Sequence, residues 1–300
     1  MRACIGAPIA DVPCPGQMVP TTISRGAWRF TTRGAITHSS ATALGPHSPY
    51  LVSDATFERI RTCADELDAT VMIHLHESVA EIEQSVSVHG VRPIERLGRS
   101  RSPFAASHRR ALHPSRCHGY RACSPGWHAG GSLSGIEPQA PATEVAPVDA
   151  MLAAGLTVAL GTDGAASNNS LDLVGEMRLA ALLAKGNSRD STVLDAATAL
   201  RMATLNGARA LGLDSDTGSL VPGKWADLCC MNLDAPATLP VYSPLSQIVY
   251  AASRDQVSDT WVAGKHLVSD GQFTLLDAER LRHHATRWSE RIAALAARAA

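Results

Sequence analysis

The run Ala69-Thr70-Val71-Met72-Ile73-His74-Leu75-His76-Glu77 constrains the fold more than any other stretch of this chain. It is apolar, rich in β-branched residues, and ends in polar groups. Apolar residues at consecutive positions suit a strand covered on both faces, as in a parallel sheet. Helical patterns flank it. Ser53 is a good N-cap, and Phe57, Ile60, Ala64 and Leu67 follow on one helical face. A second amphipathic helix spans about 78–88 and stops before Gly90, and residues 91–98 begin another.

The plan repeats downstream. Pro147 to Leu152 reads as a helix closing at Gly155, and Thr157-Val158-Ala159-Leu160 as a short buried strand. That strand stops at Gly161 and delivers one acid, Asp163, at its C-terminal end; Gly161 and Gly164 allow tight turns on both sides. Helices follow at about 171–185 (Leu171, Val174, Met177, Leu182) and at 192–211, closed by Gly212. Helices alternating with strands that carry polar groups at their C-termini indicate an α/β fold, with a (β/α)8 barrel as the frame. Earlier, residues 1–13 hold one short strand, and two prolines around His47 in Gly45-Pro46-His47-Ser48-Pro49-Tyr50 suit a residue presented at a strand end.

From Thr217 the period changes. Ala226 to Met231 reads as a strand, Asp259 to Val268 as a hairpin turning at Gly264-Lys265, and residues 276–299 as an amphipathic helix. The expected division is 1–42, largely unpatterned; 43–214, a barrel; 215–275, a small β unit; and 276–300, a terminal helix.

Composition is uneven. No acid lies between Asp11 and Asp54, where Arg25, Arg29 and Arg33 are the only charges. Between Arg99 and Glu137 there is again no acid and no Lys, but six Arg among Ser, Pro, Cys, His and Gly. Neither stretch shows a period of 2 or 3.6. A basic nucleic-acid-binding loop is one reading of the second; the lack of Lys and of organised aromatics, and a net charge of −1, count against it. Disorder fits the same composition. No apolar run reaches the length of a membrane span, the first residues lack signal-peptide architecture, and seven Cys without a CxxC pair favour free thiols in a reducing cytoplasm.

Chemistry concentrates at the strand ends. His74 and His76 lie two apart on one expected strand, hence on one side, and His is the commonest zinc ligand. Glu77, just beyond, suits a general acid/base acting on a metal-bound water. The plain alternative for all three is a polar strand cap. Asp163 is either a metal-binding carboxylate or a turn residue, and His47 is either a site residue or a turn His bonded to backbone. His266, His283 and His284 read as solvated surface.

These residues carry a family resemblance. Pro46-His47-Ser48-Pro49-Tyr50, Ile73-His74-Leu75-His76-Glu77, Leu160-Gly161-Thr162-Asp163-Gly164 with Ser167-Asn168-Asn169, Ala203-Thr204-Leu205-Asn206-Gly207-Ala208, and Gly218-Ser219-Leu220 through Lys224-Trp225-Ala226-Asp227-Leu228 resemble motifs of the amidohydrolase superfamily. The chain is similar to its 5′-methylthioadenosine/S-adenosylhomocysteine deaminases and to the triazine hydrolases (the TRZ/ATZ chlorohydrolase group), over about 43–98 and 147–275. The resemblance implies a TIM-type barrel, here incomplete, with a small β-sandwich unit. It implies hydrolysis of a non-peptide C–N bond, most simply deamination of an adenosine-type nucleoside, with a guanine- or triazine-type substrate as the alternative. It implies Zn2+, with Fe2+ as the other candidate, and a small-molecule substrate in the cytoplasm, with no nucleic acid or membrane partner and a homo-oligomer left open. His74 resembles a metal ligand, Asp163 a metal ligand that also takes a proton, Glu77 the acid/base at the purine-like ring, and His47 a substrate contact. His76 falls at a variable position of the motif.

The chain also departs from the family pattern. The first-strand His-x-His pair has no counterpart before residue 47, as expected of an N-terminally truncated chain. The sixth-strand His motif and the His-Cys-Pro-x-Ser-Asn-Leu-Lys-Leu motif that should fall within 99–146 are missing. One legal coding of Ser132 to Ala140 reads His-Cys-Pro-Ala-Ser-Asn-Leu-Lys one base later. One coding of Ala35 to Thr42 reads Asp-His-Pro-Leu-Val-Ser-Asn two bases later. The expectation is that 14–42 and 99–146 are translated out of frame between compensating insertions or deletions, so that the chain is either a deaminase or an inactive remnant of one. The nucleotide sequence decides the frame.

Overall fold

The computed structural model describes residues 2–12, 40–67, 69–99 and 145–299. Most of the two unpatterned stretches, and the out-of-frame reading of them, lie outside these residues. The chain divides into two compact units, Met1–Ser219 and Leu220–Ala300.

The first unit contains a parallel sheet of β1 (Ala3–Ile9), β2 (Ser40–Pro46) and β3 (Thr70–Val71), in that order. The middle strand escaped sequence reading because Ser, Ala and Gly dominate it. Small residues are what its place requires: a Cβ on Gly45 would meet the Ala7 carbonyl oxygen at 3.0 Å. Helix α1 (Asp54–Leu67) packs on the sheet. Phe57 and Ile60 are fully buried there with Ile9, Leu44, Val52 and Leu97, each large side chain stabilising the fold by about 1.5–3 kcal/mol.

The Ala69–Glu77 run differs from expectation in two ways. Only its first residues form a regular ladder, although Met72 N–H still donates to Leu44 O at 2.9 Å and His74 N–H to His47 O at 3.1 Å. And one face alone is covered among the described residues: Ala69, Val71, Ile73 and Leu75 pack on the core, whereas Thr70, Met72 and His74 are exposed. The alternation ends at His76, whose φ of 58° is left-handed. His76 therefore does not continue the side shared by Met72 and His74.

Helix α2 (Val79–His89) starts on Ser78 and stops at Gly90, whose φ of 71° suits glycine; α3 (Pro93–Arg99) follows. Beyond the second unpatterned stretch come α4 (Val148–Ala153), the short α5 (Ala165–Asn168) and α6 (Leu173–Ser188), the last capped by Asp172. On α6 the buried stripe is Met177, Ala180, Ala181 and Ala184, while Leu182, and Leu171 just before the helix, are exposed. The helix expected at 192–211 is two, α7 (Ala196–Ala203) and α8 (Leu205–Ala210), broken at Thr204 with φ −127° and ψ −92°. That break brings α8 against Gly218, where a Cβ would meet Ala208 Cβ at 2.6 Å.

The expected strand 157–160 is buried at Val158 and Ala159 but pairs with no strand among the described residues. Helix groups satisfy its backbone instead: Leu160 N–H donates to Met202 O at 3.1 Å, and Asn206 Nδ2 donates to Val158 O at 2.8 Å.

The second unit contains an antiparallel sheet, β4 (Leu228–Met231), β5 (Val257–Val262), β6 (Lys265–Ser269) and β7 (Gln272–Phe273), and helix α9 (Ala278–Ala299). The hairpin turns at Ala263-Gly264, both at positive φ. His266, expected at the surface, is half-buried: it stacks on Trp261 at 4.4 Å and bonds Asp259 at 2.8 Å. No helix among the described residues is long and apolar enough to cross a membrane.

Candidate active site at the strand mouth

Parallel strands end on the same side, so β1, β2 and β3 deliver Asp11, His47 and His74 to one edge of the sheet. His47 stays in register one residue past β2, its N–H donating to Ile9 O at 2.9 Å. Its carbonyl oxygen accepts twice from His74, from the backbone N–H and from Nδ1 at 2.9 Å. A carbonyl can only accept, so His74 Nδ1 carries the proton. In the neutral ring Nε2 then holds a lone pair, the tautomer a metal ligand needs. The two imidazoles lie 5.0 Å apart, tilted by 42°.

Glu77 is exposed just past this edge, and Tyr50 Oη donates to its Oε2 at 3.4 Å. Burial, with the nearby carboxylates of Glu77 and Glu81, pushes the Tyr50 phenol up. Tyr50 thus remains a donor at neutral pH, and its ring meets His47 edge-on at 6.1 Å. The structure brings His47, Tyr50, His74 and Glu77 together. Tyr50 was not singled out from sequence, although it closes the Pro46–Tyr50 motif.

His76 takes a different part. Its Nε2 accepts from Ile94 N–H at 3.3 Å, at the start of α3. Burial, then the charge of Arg92, lowers its pKa, which keeps the ring neutral and Nε2 an acceptor. The His74/His76 pair thus separates into one ring with a free lone pair and one ring used as a brace.

The loop after His47 is pinned from two sides. Asp11 accepts from Ser53 N–H at 2.6 Å and Thr56 Oγ1 at 2.7 Å. The buried Arg96 donates to Pro49 O at 2.6 Å, to Asp54 Oδ1 at 3.0 Å and to Val52 O at 3.4 Å. Neither was picked out from sequence. A lone Arg on a short helix carries no pattern that announces a loop 44–47 residues away.

Asp163 follows the 157–160 segment. It is exposed at φ 56°, and its Oδ1 accepts from the N–H of Gly164 at 2.6 Å. The preceding residue is tied down: Asn168 Nδ2 donates to Thr162 O at 2.8 Å and to Glu176 Oε1 at 2.7 Å. Among the described residues no three His, Cys, Asp or Glu side chains group closely enough to hold a metal.

Comparison with known proteins follows the same lines. The chain is 40% identical over 254 residues to the 5-methylthioadenosine/S-adenosylhomocysteine deaminase of Teredinibacter turnerae, spanning 83% of this chain and 56% of that protein. It is 36% identical over 243 residues to the 5′-deoxyadenosine deaminase of Methanothermobacter thermautotrophicus, spanning 78% and 54%. The crystal structure of an adenosine deaminase from Xanthomonas campestris with bound zinc superposes with a TM-score of 0.84 at 36% identity, over 98% of this chain and 66% of that one. A zinc complex of atrazine chlorohydrolase from Arthrobacter aurescens shares the fold at 24% identity, with a TM-score of 0.81 over 96% and 66%. The chain thus spans little more than half to two thirds of these proteins. The amidohydrolase family model matches residues 30–267, a span that holds the strand-mouth histidines, Glu77, Asp163 and the hairpin, and the chain belongs to the amidohydrolase family.

Proposed function

We propose that this chain carries part of a metal-dependent hydrolytic deaminase site for an adenosine-type nucleoside of the 5′-methylthioadenosine or S-adenosylhomocysteine class. The observation that carries this reading is the double hydrogen bond from His74 to the His47 carbonyl. It presents a lone-paired Nε2 at a strand mouth, beside an exposed carboxylate held near Tyr50. The relatives named for this activity support the substrate class.

The donor set fits zinc in kind: an imidazole nitrogen with its second nitrogen anchored to a carbonyl, and the exposed carboxylate of Asp163. Zinc, when bound, supplies a water acidic enough to act as hydroxide near neutral pH, with a pKa of about 7. Glu77 handles protons at the ring nitrogen and the departing ammonia. Tyr50 orients the Glu77 carboxylate through its hydroxyl. His47 presents its ring to the substrate, and its carbonyl fixes the His74 tautomer.

A second reading has its own support. A catalytic zinc site takes three protein ligands plus water, and the first-strand His-x-His and the later His motifs of the family pattern have no counterpart in this sequence. On this reading the chain is a non-catalytic remnant of such a deaminase. One measurement separates the two. Purified chain is loaded with zinc, freed of excess metal, assayed for metal content, and given 5′-methylthioadenosine while ammonia release is followed. Near-stoichiometric zinc with turnover that Glu77→Gln abolishes establishes the deaminase reading. Substoichiometric zinc and no ammonia establish the remnant.

A further inference from the structure

The turn that presents Glu77 is tied to a buried carboxylate on the next helix. Glu81 is 4% exposed. It lies three residues after Ser78, the N-cap of α2, so Ser78-Val79-Ala80-Glu81 is a capping-box sequence. In a capping box the glutamate returns to the N–H of the N-cap residue. The first half of the box is present: Ser78 Oγ accepts from Glu81 N–H at 3.2 Å. The second half is displaced. Glu81 reaches past Ser78, its Oε2 accepting from Glu77 N–H at 2.7 Å and its Oε1 from His76 N–H at 3.2 Å.

We propose that Glu81 is a positioning residue for Glu77, fixing the backbone from which the acid/base side chain is presented. This rests on the reading of Glu77 as the acid/base. Three features support it. The turn contains His76 at φ 58°, a conformation L side chains disfavour, so it needs an external tie. Both oxygens of Glu81 are spent on consecutive N–H groups of the segment that runs from His74 to Glu77. And burial pushes the Glu81 carboxyl up in pKa, while the N–H groups of Glu77 and His76 pull it back down, so the buried carboxylate depends on that turn for its partners.

The test compares the wild-type chain with Glu81→Gln, Glu81→Ala and, as a control on the same helix, Ser85→Ala. Ser85 Oγ donates to Val91 O at 2.8 Å, beyond the far end of the helix from the 76–77 turn. Gln keeps the shape of Glu but has a single acceptor oxygen, so one of the two amide bonds is lost. The first readout is amide hydrogen exchange. In Glu81→Gln, exchange at whichever of the His76 and Glu77 amides loses its acceptor rises by about tenfold or more, the scale of a lost charge-assisted hydrogen bond, while the amides in the middle of α2 keep their protection. Ser85→Ala leaves His76 and Glu77 unchanged. The second readout is kinetic. With 5′-methylthioadenosine, Glu81→Gln lowers kcat about tenfold with KM little changed, since an acid displaced in the transition state costs kcat; Ser85→Ala leaves both alone. Unchanged exchange at His76 and Glu77 in Glu81→Gln overturns the proposal, and so does an equal rise along the whole helix. If Glu81→Ala does not fold, Glu81→Gln decides. A wild-type chain without turnover counts against the deaminase reading alone, because the exchange arm still reads the tie. Turnover that survives Glu77→Gln removes the role of Glu77, and the positioning role of Glu81 with it.

Discussion

The strand mouth and the Asp163 segment are two pieces of one unit built to different standards. At the strand mouth every group of interest is held by a neighbour. The His47 carbonyl takes both donors of His74, Glu81 holds the turn of Glu77, and Arg96 and Asp11 pin the loop between His47 and α1. The Asp163 segment is anchored before the acid through Met202, Asn206 and Asn168, and after it by the Asn168 N–H on Gly164 O. Its carboxylate is exposed and turned back on the N–H of the next residue. The difference lies in strand partners. His74 borrows an acceptor from the adjacent parallel strand, whereas among the described residues the segment 157–160 has no adjacent strand and the Asp163 carboxylate bonds the N–H of the next residue. A metal ligand is prepared by its outer hydrogen bonds, and one of the two candidate ligands has them.

The sharpest way to break this comparison is at Glu77. If the strand mouth is catalytic, Glu77→Gln lowers kcat for 5′-methylthioadenosine deamination by about 10² to 10⁴, read as ammonia release. A loss under threefold removes Glu77 from the mechanism. Arg96 tests whether the mouth is held as tightly as its hydrogen bonds indicate. Arg96→Met leaves the carbonyls of Pro49 and Val52 without their buried donor, and two such groups cost about 2–4 kcal/mol. Chemical denaturation measures it, and a change below 1 kcal/mol means the loop does not depend on α3.

Asp11 gives a smaller effect with a pH signature. Burial raises its pKa, but the hydrogen bonds from Ser53 and Thr56 outweigh burial and bring it below the ordinary value. A carboxyl with a depressed folded pKa stabilises the fold above its unfolded pKa, about 3.9. That contribution is lost as pH falls through the folded value. Asp11→Asn therefore costs about 1–2 kcal/mol at pH 7, the worth of one hydrogen bond to a charged acceptor. The gap between wild type and variant closes as the pH is lowered from 5 towards 3. A gap that widens on acidification contradicts the assignment.

How much of this was legible beforehand depended on what each residue's neighbours are. Helices α1, α2 and α9 are readable because their signals are local: Ser53 as a cap, Gly90 as a stop, an apolar stripe of period 3.6. The hairpin was readable from Gly264. Strand β2 was not, because its Ala and Gly residues answer to the backbone of β1, which no local pattern records. The expected strand at 157–160 has the composition of a buried strand but lacks a partner, and composition cannot supply one. Among the candidate site residues, His47, His74 and Glu77 are legible by motif. Period-2 arithmetic pairs His76 with His74, but it holds only while the chain is extended, and the positive φ of His76 ends that. Glu81 was within reach, since Ser78-x-x-Glu81 is a readable capping box. What the box could not show is that the carboxylate bonds two residues further back. Arg96 and Asp11 act on loops distant in sequence and left no local trace.

The smallest predicted effect bears most directly on the comparison. Asp163 has φ 56°, a conformation Asp tolerates better than most residues and Gly adopts freely. Its one side-chain hydrogen bond is to the adjacent, exposed Gly164 N–H. Asp163→Gly gives up that bond and adds chain entropy to the unfolded state, but relieves the backbone, so the terms nearly cancel. The stability change is under about 0.5 kcal/mol, as for an exposed site outside any network. His74 is the counterpart. Removing its ring in His74→Ala loses the bond to the His47 carbonyl, worth about 1 kcal/mol. If Asp163→Gly is as costly as His74→Ala, then Asp163 is tied into the fold in a way its exposure does not reveal. If it is silent, as expected, then Asp163 is a carboxylate the fold does not need, and any constraint on its identity comes from what it binds.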